Sequence, residues 1–191
     1  MHKLLALAGA AALVLVGCQD GEPAANTAAA PTNTAAAAQS GTLQQLVAAS
    51  PRFRQAIEAA GLQSTLSGPG PYTVLVPDDA AFAKLPAAEV ERLLQPQARP
   101  ELTSILTYHI LPGTILIEDL QRTIDNGGGK AVLATMAGPT LTAVRQGERI
   151  LLTDQAGRQV AITGAERPAS NGVVHTINGV LLPAIGDTRA G

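Results

Sequence analysis

Cys18 is the chain's sole cysteine, so its thiol cannot close an intramolecular disulfide. It ends a 14-residue run without charge, residues 4–17, that follows Lys3. A thiolate there would be a nucleophile. Elsewhere the chain lacks GxSxG, HExxH and a GxGxxG turn placed after a strand. His109 shares a helical face with Leu102, Ile105 and Leu106, and His175 shares a strand face with Val173 and Ile177. His109 is therefore expected as a core histidine with its ring nitrogens hydrogen-bonded, and His175 as a residue of the core or its rim. Zinc prefers four ligands, and nothing sets a third at recognisable spacing from these two, so neither metal nor cofactor is expected. The adjacent carboxylates Asp78 and Asp79 are not separated across a substrate, as acid–base catalysis demands. Their place after Pro77 fits the capping of a short helix.

Two further groups have a binding reading beside a plain one. Arg52, Arg54, Arg92, Arg99 and Arg122 fall in or near the first half of the patterned region. Solvated arginine is the commoner outcome, but convergence would hold carboxylates, anionic glycans or lipid headgroups. Gly127, Gly128 and Gly129 lack the Gly-Lys-Ser/Thr of a phosphate loop and read as a turn, with a mobile flap as the alternative.

These residues need elements to place them, and the chain divides clearly. The uncharged leader is too short for the roughly 20 residues of a membrane span and reads as a signal segment, residues 1–17. Residues 18–40 follow as Cys18 and a linker, with nine alanines among the fifteen residues 24–38 and Thr, Asn and Pro between them. No large apolar side chain there offers a packing face that would offset the entropy of ordering. One domain is expected over residues 41–184 and a tail over 185–191. Aromatics are 2% of the chain, so the core depends on Leu, Val, Ile and Ala. With 13 basic and 15 acidic side chains, the formal net charge of −2 predicts no attraction to nucleic acid.

Within the domain, Thr42 caps a face of Leu43, Leu46 and Val47, and Ser50 with Pro51 opens a helix that buries Phe53 and Ile57 and stops at Gly61. Residues 72–76, YTVLV, form a continuous apolar run and so a strand covered on both faces. Short helices are expected after Pro77 and over residues 88–94, then a break at QPQARP, then a helix over 101–110. Strand candidates follow at 114–117, 131–135, 140–145, 149–153, 159–163 and 172–178, with Asp154 opening a hairpin turn. Helices first and strands after them predict an α+β domain with a largely antiparallel sheet.

The string Leu15-Val16-Gly17-Cys18 resembles the lipobox of bacterial lipoproteins, which implies cleavage before Cys18 and acylation of that residue. In such lipoproteins Asp directly after the cysteine favours inner-membrane retention. Gln19 stands there, and the outer membrane of a Gram-negative envelope is implied. Three further strings, YTVLVPDDAAFAKLP (72–86), LTSILTYHILPG (102–113) and SNGVVHTINGVLLP (170–183), resemble in order and spacing the first box, the Tyr-His box and the second box of the fasciclin (FAS1) domain. Two departures are conservative: Leu75 stands where relatives carry Phe, and Asp78 where they carry Thr. The resemblance implies a compact β-wedge or sandwich packed with several helices from the N-terminal half. It places Tyr108, His109, Asn171, Gly172 and His175 as family-motif residues.

The expected function is a lipid-anchored, non-catalytic binding or adhesion module of the cell envelope, monomeric, recognising a protein or polysaccharide. One alternative is a periplasmic small-molecule binder with its pocket near Tyr108-His109 or the glycine turn, Tyr108 and Arg122 being candidate contacts. A hydrolase, the other alternative, lacks a nucleophile with an oriented base.

Overall fold

The computed structural model describes residues 41–183. The expected leader, Cys18, the linker to residue 40 and the tail at 185–191 lie outside the described residues.

The elements in chain order are α1 (Leu43–Val47), α2 (Pro51–Ala60), α3 (Gln63–Ser67), β1 (Tyr72–Pro77), α4 (Asp79–Ala83), α5 (Ala87–Leu93), a 3₁₀ turn (Pro96–Ala98), α6 (Arg99–Tyr108), β2 (Ile110–Pro112), α7 (Ile117–Asn126), β3 (Lys130–Ala134), β4 (Thr140–Gln146), β5 (Arg149–Thr153), β6 (Gln159–Ala161), β7 (Arg167–Ala169) and β8 (Gly172–Ile177). Pro51 stands in the first turn of α2, Gly61 ends it at φ 77°, and Phe53, Ala56, Ile57 and Ala60 are buried along one side. Ser50 does not cap α2 with its side chain as expected. Its hydroxyl donates instead to the Pro77 carbonyl at 3.1 Å and fastens α2 to the end of β1. Asp78 does cap α4, its Oδ1 accepting from the Ala81 amide at 2.6 Å, and Asp79 lies in the first turn.

Two four-stranded sheets form, in the orders β2-β1-β8-β7 and β3-β4-β5-β6. The second is antiparallel throughout. The first has antiparallel edges around a parallel central pair, β1 with β8, in register from Tyr72↔Gly172 to Pro77↔Ile177. A bridge between Ile162 and Ile177 joins the sheets. Strand alternation sends β1 and β8 side chains to two cores. Val74, Val76 and Val174 pack with Phe53, Leu102, Ile105 and Leu106 of the helices. Leu75 and Ile177 pack with Leu141, Ile150 and Leu152 of the second sheet. The first sheet is thus a middle layer, which is why residues 72–76 lack a polar face. The architecture is α+β, with N-terminal helices on a β core.

Several expectations are corrected. Residues 114–117 form no strand: the chain runs irregularly through Leu116 and then enters α7, whose Leu120 and Ile124 are buried. QPQARP is not a simple break, because the 3₁₀ turn leads directly into α6, and Ile110 belongs to β2 rather than to that helix. The short elements α3, β2 and β7 had no sequence signature of their own. No described helix is long and apolar enough to cross a membrane.

Candidate functional site

The three motif segments meet on the middle sheet, since they carry β1, the α6–β2 junction and β8. Their polar residues serve the fold. Tyr108, expected as a candidate ligand contact, is fully buried, and its hydroxyl donates to the Thr140 carbonyl at 3.0 Å. It ties the helical layer to the second sheet and does not reach solvent. Burial raises its pKa above the ordinary tyrosine value.

His109 is buried and fully partnered. Its Nδ1 lies 2.8 Å from the Ile105 carbonyl, and its Nε2 accepts from the Leu181 amide at 3.1 Å. An amide can only donate, so Nε2 is unprotonated and the proton sits on Nδ1, donating to Ile105. Burial pushes the imidazole pKa down to about 4, with the Ile105 bond opposing. His175 is also buried. Its Nε2 donates to the Ile115 carbonyl at 2.7 Å, whereas Nδ1 has no partner. Burial lowers its pKa too, and the Ile115 bond and the Glu166 charge pull the other way.

Asn171 Oδ1 accepts from the Leu43 amide at 2.8 Å, and its Nδ2 donates to the Leu66 and Gly68 carbonyls at 2.9 and 2.8 Å. Gly172 sits at φ 153°, and a Cβ there would run into the Tyr72 carbonyl, so the position is held open for the approach of β8 to β1. Asp154 does more than open its hairpin. Its carboxylate accepts from the Ala156 and Arg158 amides, from Arg158 Nε at 3.0 Å and from the Leu182 amide at 3.3 Å.

Among the described residues no three His, Cys, Asp or Glu side chains gather to hold a metal ion. Four of the five noted arginines are engaged separately. Arg54 pairs with Glu58, Arg92 with Glu89 and Glu101, Arg122 with Asp119, and Arg99 donates to the Ala60 carbonyl. Gly127, Gly128 and Gly129 end α7, with the Gly127 and Gly129 amides donating to Thr123 and Ile124.

Three hollows among the described residues border the groups considered above. A crevice beside His109, lined by Phe53, Phe82, Leu102 and Val180, holds only about 40 Å³, far below the few hundred Å³ of a ligand pocket. A groove of about 540 Å³ runs past Thr114, Asp119, Glu166 and Asn171. Glu166 is engaged there, accepting from the Ile117 amide at 2.8 Å at the start of α7. A cleft of about 210 Å³ lies between Asp78 and Asp79 on one wall and Arg167 on the other, floored by Val76, Val174 and Thr176. Arg167 went unnoticed in the sequence because β7 is three residues long, contains a proline and has no alternation to read.

A family model described as the fasciclin domain matches residues 48–183. The chain is 36% identical over 159 residues to protein sll1483 of Synechocystis sp. (strain ATCC 27184 / PCC 6803 / Kazusa), covering 83% of this chain and 77% of that one. It is 32% identical to the transforming growth factor-beta-induced protein ig-h3 of Sus scrofa over 74% of this chain and 19% of that protein. A FAS1 domain pair from the insect cell adhesion molecule Fasciclin I superposes with a TM-score of 0.64 at 15% identity, over 79% of this chain and 53% of that one. The fold and the motif residues thus define a FAS1 module, and the chain belongs to the fasciclin family. The insect relative is a cell adhesion molecule.

Proposed function

We propose that the chain is an adhesion or binding module of the cell envelope, held by acyl chains on Cys18 and spaced from the bilayer by residues 19–40. The observation that carries the binding role is how the motif residues are used. Tyr108, His109, Asn171 and His175 are buried and bonded within the domain, which leaves the outer surface for recognition. The kinship with an insect adhesion molecule supports the same reading. A protein partner is favoured over a polysaccharide, because sugar rings stack on exposed aromatic faces and none of the four aromatic residues is exposed. The leader and Gln19 favour the outer membrane.

The test has two arms. Folded domain is incubated with isolated envelope fractions, and saturable, protease-sensitive retention is expected. Failure of a folded domain to bind would sink the adhesion role. In the second arm, a fatty-acid probe should label the wild-type chain, and Cys18→Ala should abolish both the label and membrane fractionation. An unlabelled wild type would remove the anchor and leave the binding role standing.

A further inference from the structure

We infer that the cleft between Asp79 and Arg167 is a binding site for an amino-acid zwitterion, a group that carries a free α-ammonium and a free α-carboxylate. Arg167 is half-buried, whereas every other arginine among the described residues is exposed. Yet no hydrogen bond or ion pair from the described residues reaches its guanidinium. A guanidinium drawn partly out of water without a protein acceptor is free to take a carboxylate through two parallel bonds.

The strand geometry aims it. Arg167 is the register partner of Val174, and Val76 that of Thr176, so all four side chains stand on one face of the middle sheet. That face forms the floor of the 210 Å³ cleft. Thr176 is half-buried there, and its hydroxyl has no bond within the described residues. The opposite wall is acidic. Asp78 uses one carboxylate oxygen to cap α4, which leaves the other open, and Asp79 makes no hydrogen bond or ion pair.

Opposite charges therefore share one hollow without touching, and a ligand with both charges closes the gap. Its carboxylate would take the Arg167 fork and the Thr176 hydroxyl, and its ammonium the Asp79 and Asp78 oxygens. The hollow is smaller than a drug-sized pocket and fits an amino-acid backbone with a small side chain, or one whose longer side chain leaves through the mouth. The site differs from the pocket expected beside Tyr108-His109 and does not depend on the adhesion reading.

The experiment titrates the purified full chain, without envelope material, by calorimetry and by backbone amide shifts. Four probes are used: alanine, alaninamide, N-acetylalanine and Nε-acetyllysine. Alanine is expected to bind saturably and to shift the amides of Ala49, Asp79, Arg167 and Thr176. Alaninamide and N-acetylalanine, each lacking one charge, should bind about tenfold or more weakly. Nε-acetyllysine separates two sources of the same chemistry. If it binds like alanine, the site takes the amino-acid end of a side-chain-linked peptide, and if it is excluded, a free amino acid. Arg167→Met and Asp79→Asn should each weaken alanine about tenfold. Arg167→Lys, which keeps the charge and the fold but loses the fork, should fall between, and Arg149→Met should match wild type. Two results would overturn the proposal: no saturable shift with any of the four probes, or folded Arg167→Met and Asp79→Asn variants that bind alanine as wild type does.

Discussion

His109 links one proton to the stability of the whole domain. Its folded pKa of about 4 lies below the ordinary 6.5. Between these values the unfolded chain takes up a proton that the folded chain refuses, so acid favours unfolding. The contribution is whole above about pH 6.5 and drains as pH falls toward about 4, with on the order of 3 kcal/mol at stake. His175 is shifted in the same direction and adds to the slope. Urea midpoints should therefore drop steadily as pH is lowered through that window. His109→Gln should flatten the drop while lowering the unfolding free energy at neutral pH by about 1–3 kcal/mol, because the Leu181 amide loses its imidazole acceptor. A variant with the wild-type slope would mean that other groups govern the acid response.

At the scale of elements, Asn171 joins α1, the end of α3 and the β7–β8 turn through three bonds. Asn171→Ala would leave one amide and two carbonyls without that partner, at a cost of about 2–4 kcal/mol. The loss should be local before it is global: hydrogen exchange at the Leu43 amide should accelerate more than at Val174 in the parallel pair. Uniform acceleration would count against a local role. The same elements explain what the sequence could and could not tell. α2 was readable because Ser50-Pro51 and Gly61 bracket a single apolar side, and β1 because its apolar run is unbroken. α7 was misread because Ile115, Leu116 and Ile117 look like a strand, while the group that accepts from its first amide, Glu166, comes from far along the chain. His109, expected in the core, and His175, expected in the core or at its rim, are both buried. The role of Tyr108 was not legible, since a hydroxyl's partner across two layers leaves no trace in local spacing. The cleft at Arg167 escaped for the same reason, because only the pairing of β7 with β8 and of β8 with β1 brings Arg167 to Asp79.

At the scale of the molecule, two hydrophobic clusters share one sheet. Leu106 belongs to the cluster under the helices and Leu152 to the cluster under the second sheet, and both are buried. Separate cores invite separate melting, but β1 and β8 contribute alternate residues to both. Loss of either core strips one face from the central parallel pair and exposes the apolar residues on it. Unfolding of the described domain should therefore be one cooperative step. Leu106→Ala and Leu152→Ala should each cost about 2–5 kcal/mol, as deletions of buried leucine do. Calorimetry should record a single, lower-temperature peak for both variants. A Leu152→Ala protein with two peaks, the helical layer persisting above the sheet transition, would mean that the middle sheet can stand with one face bare, and the coupling argued from strand alternation would fail.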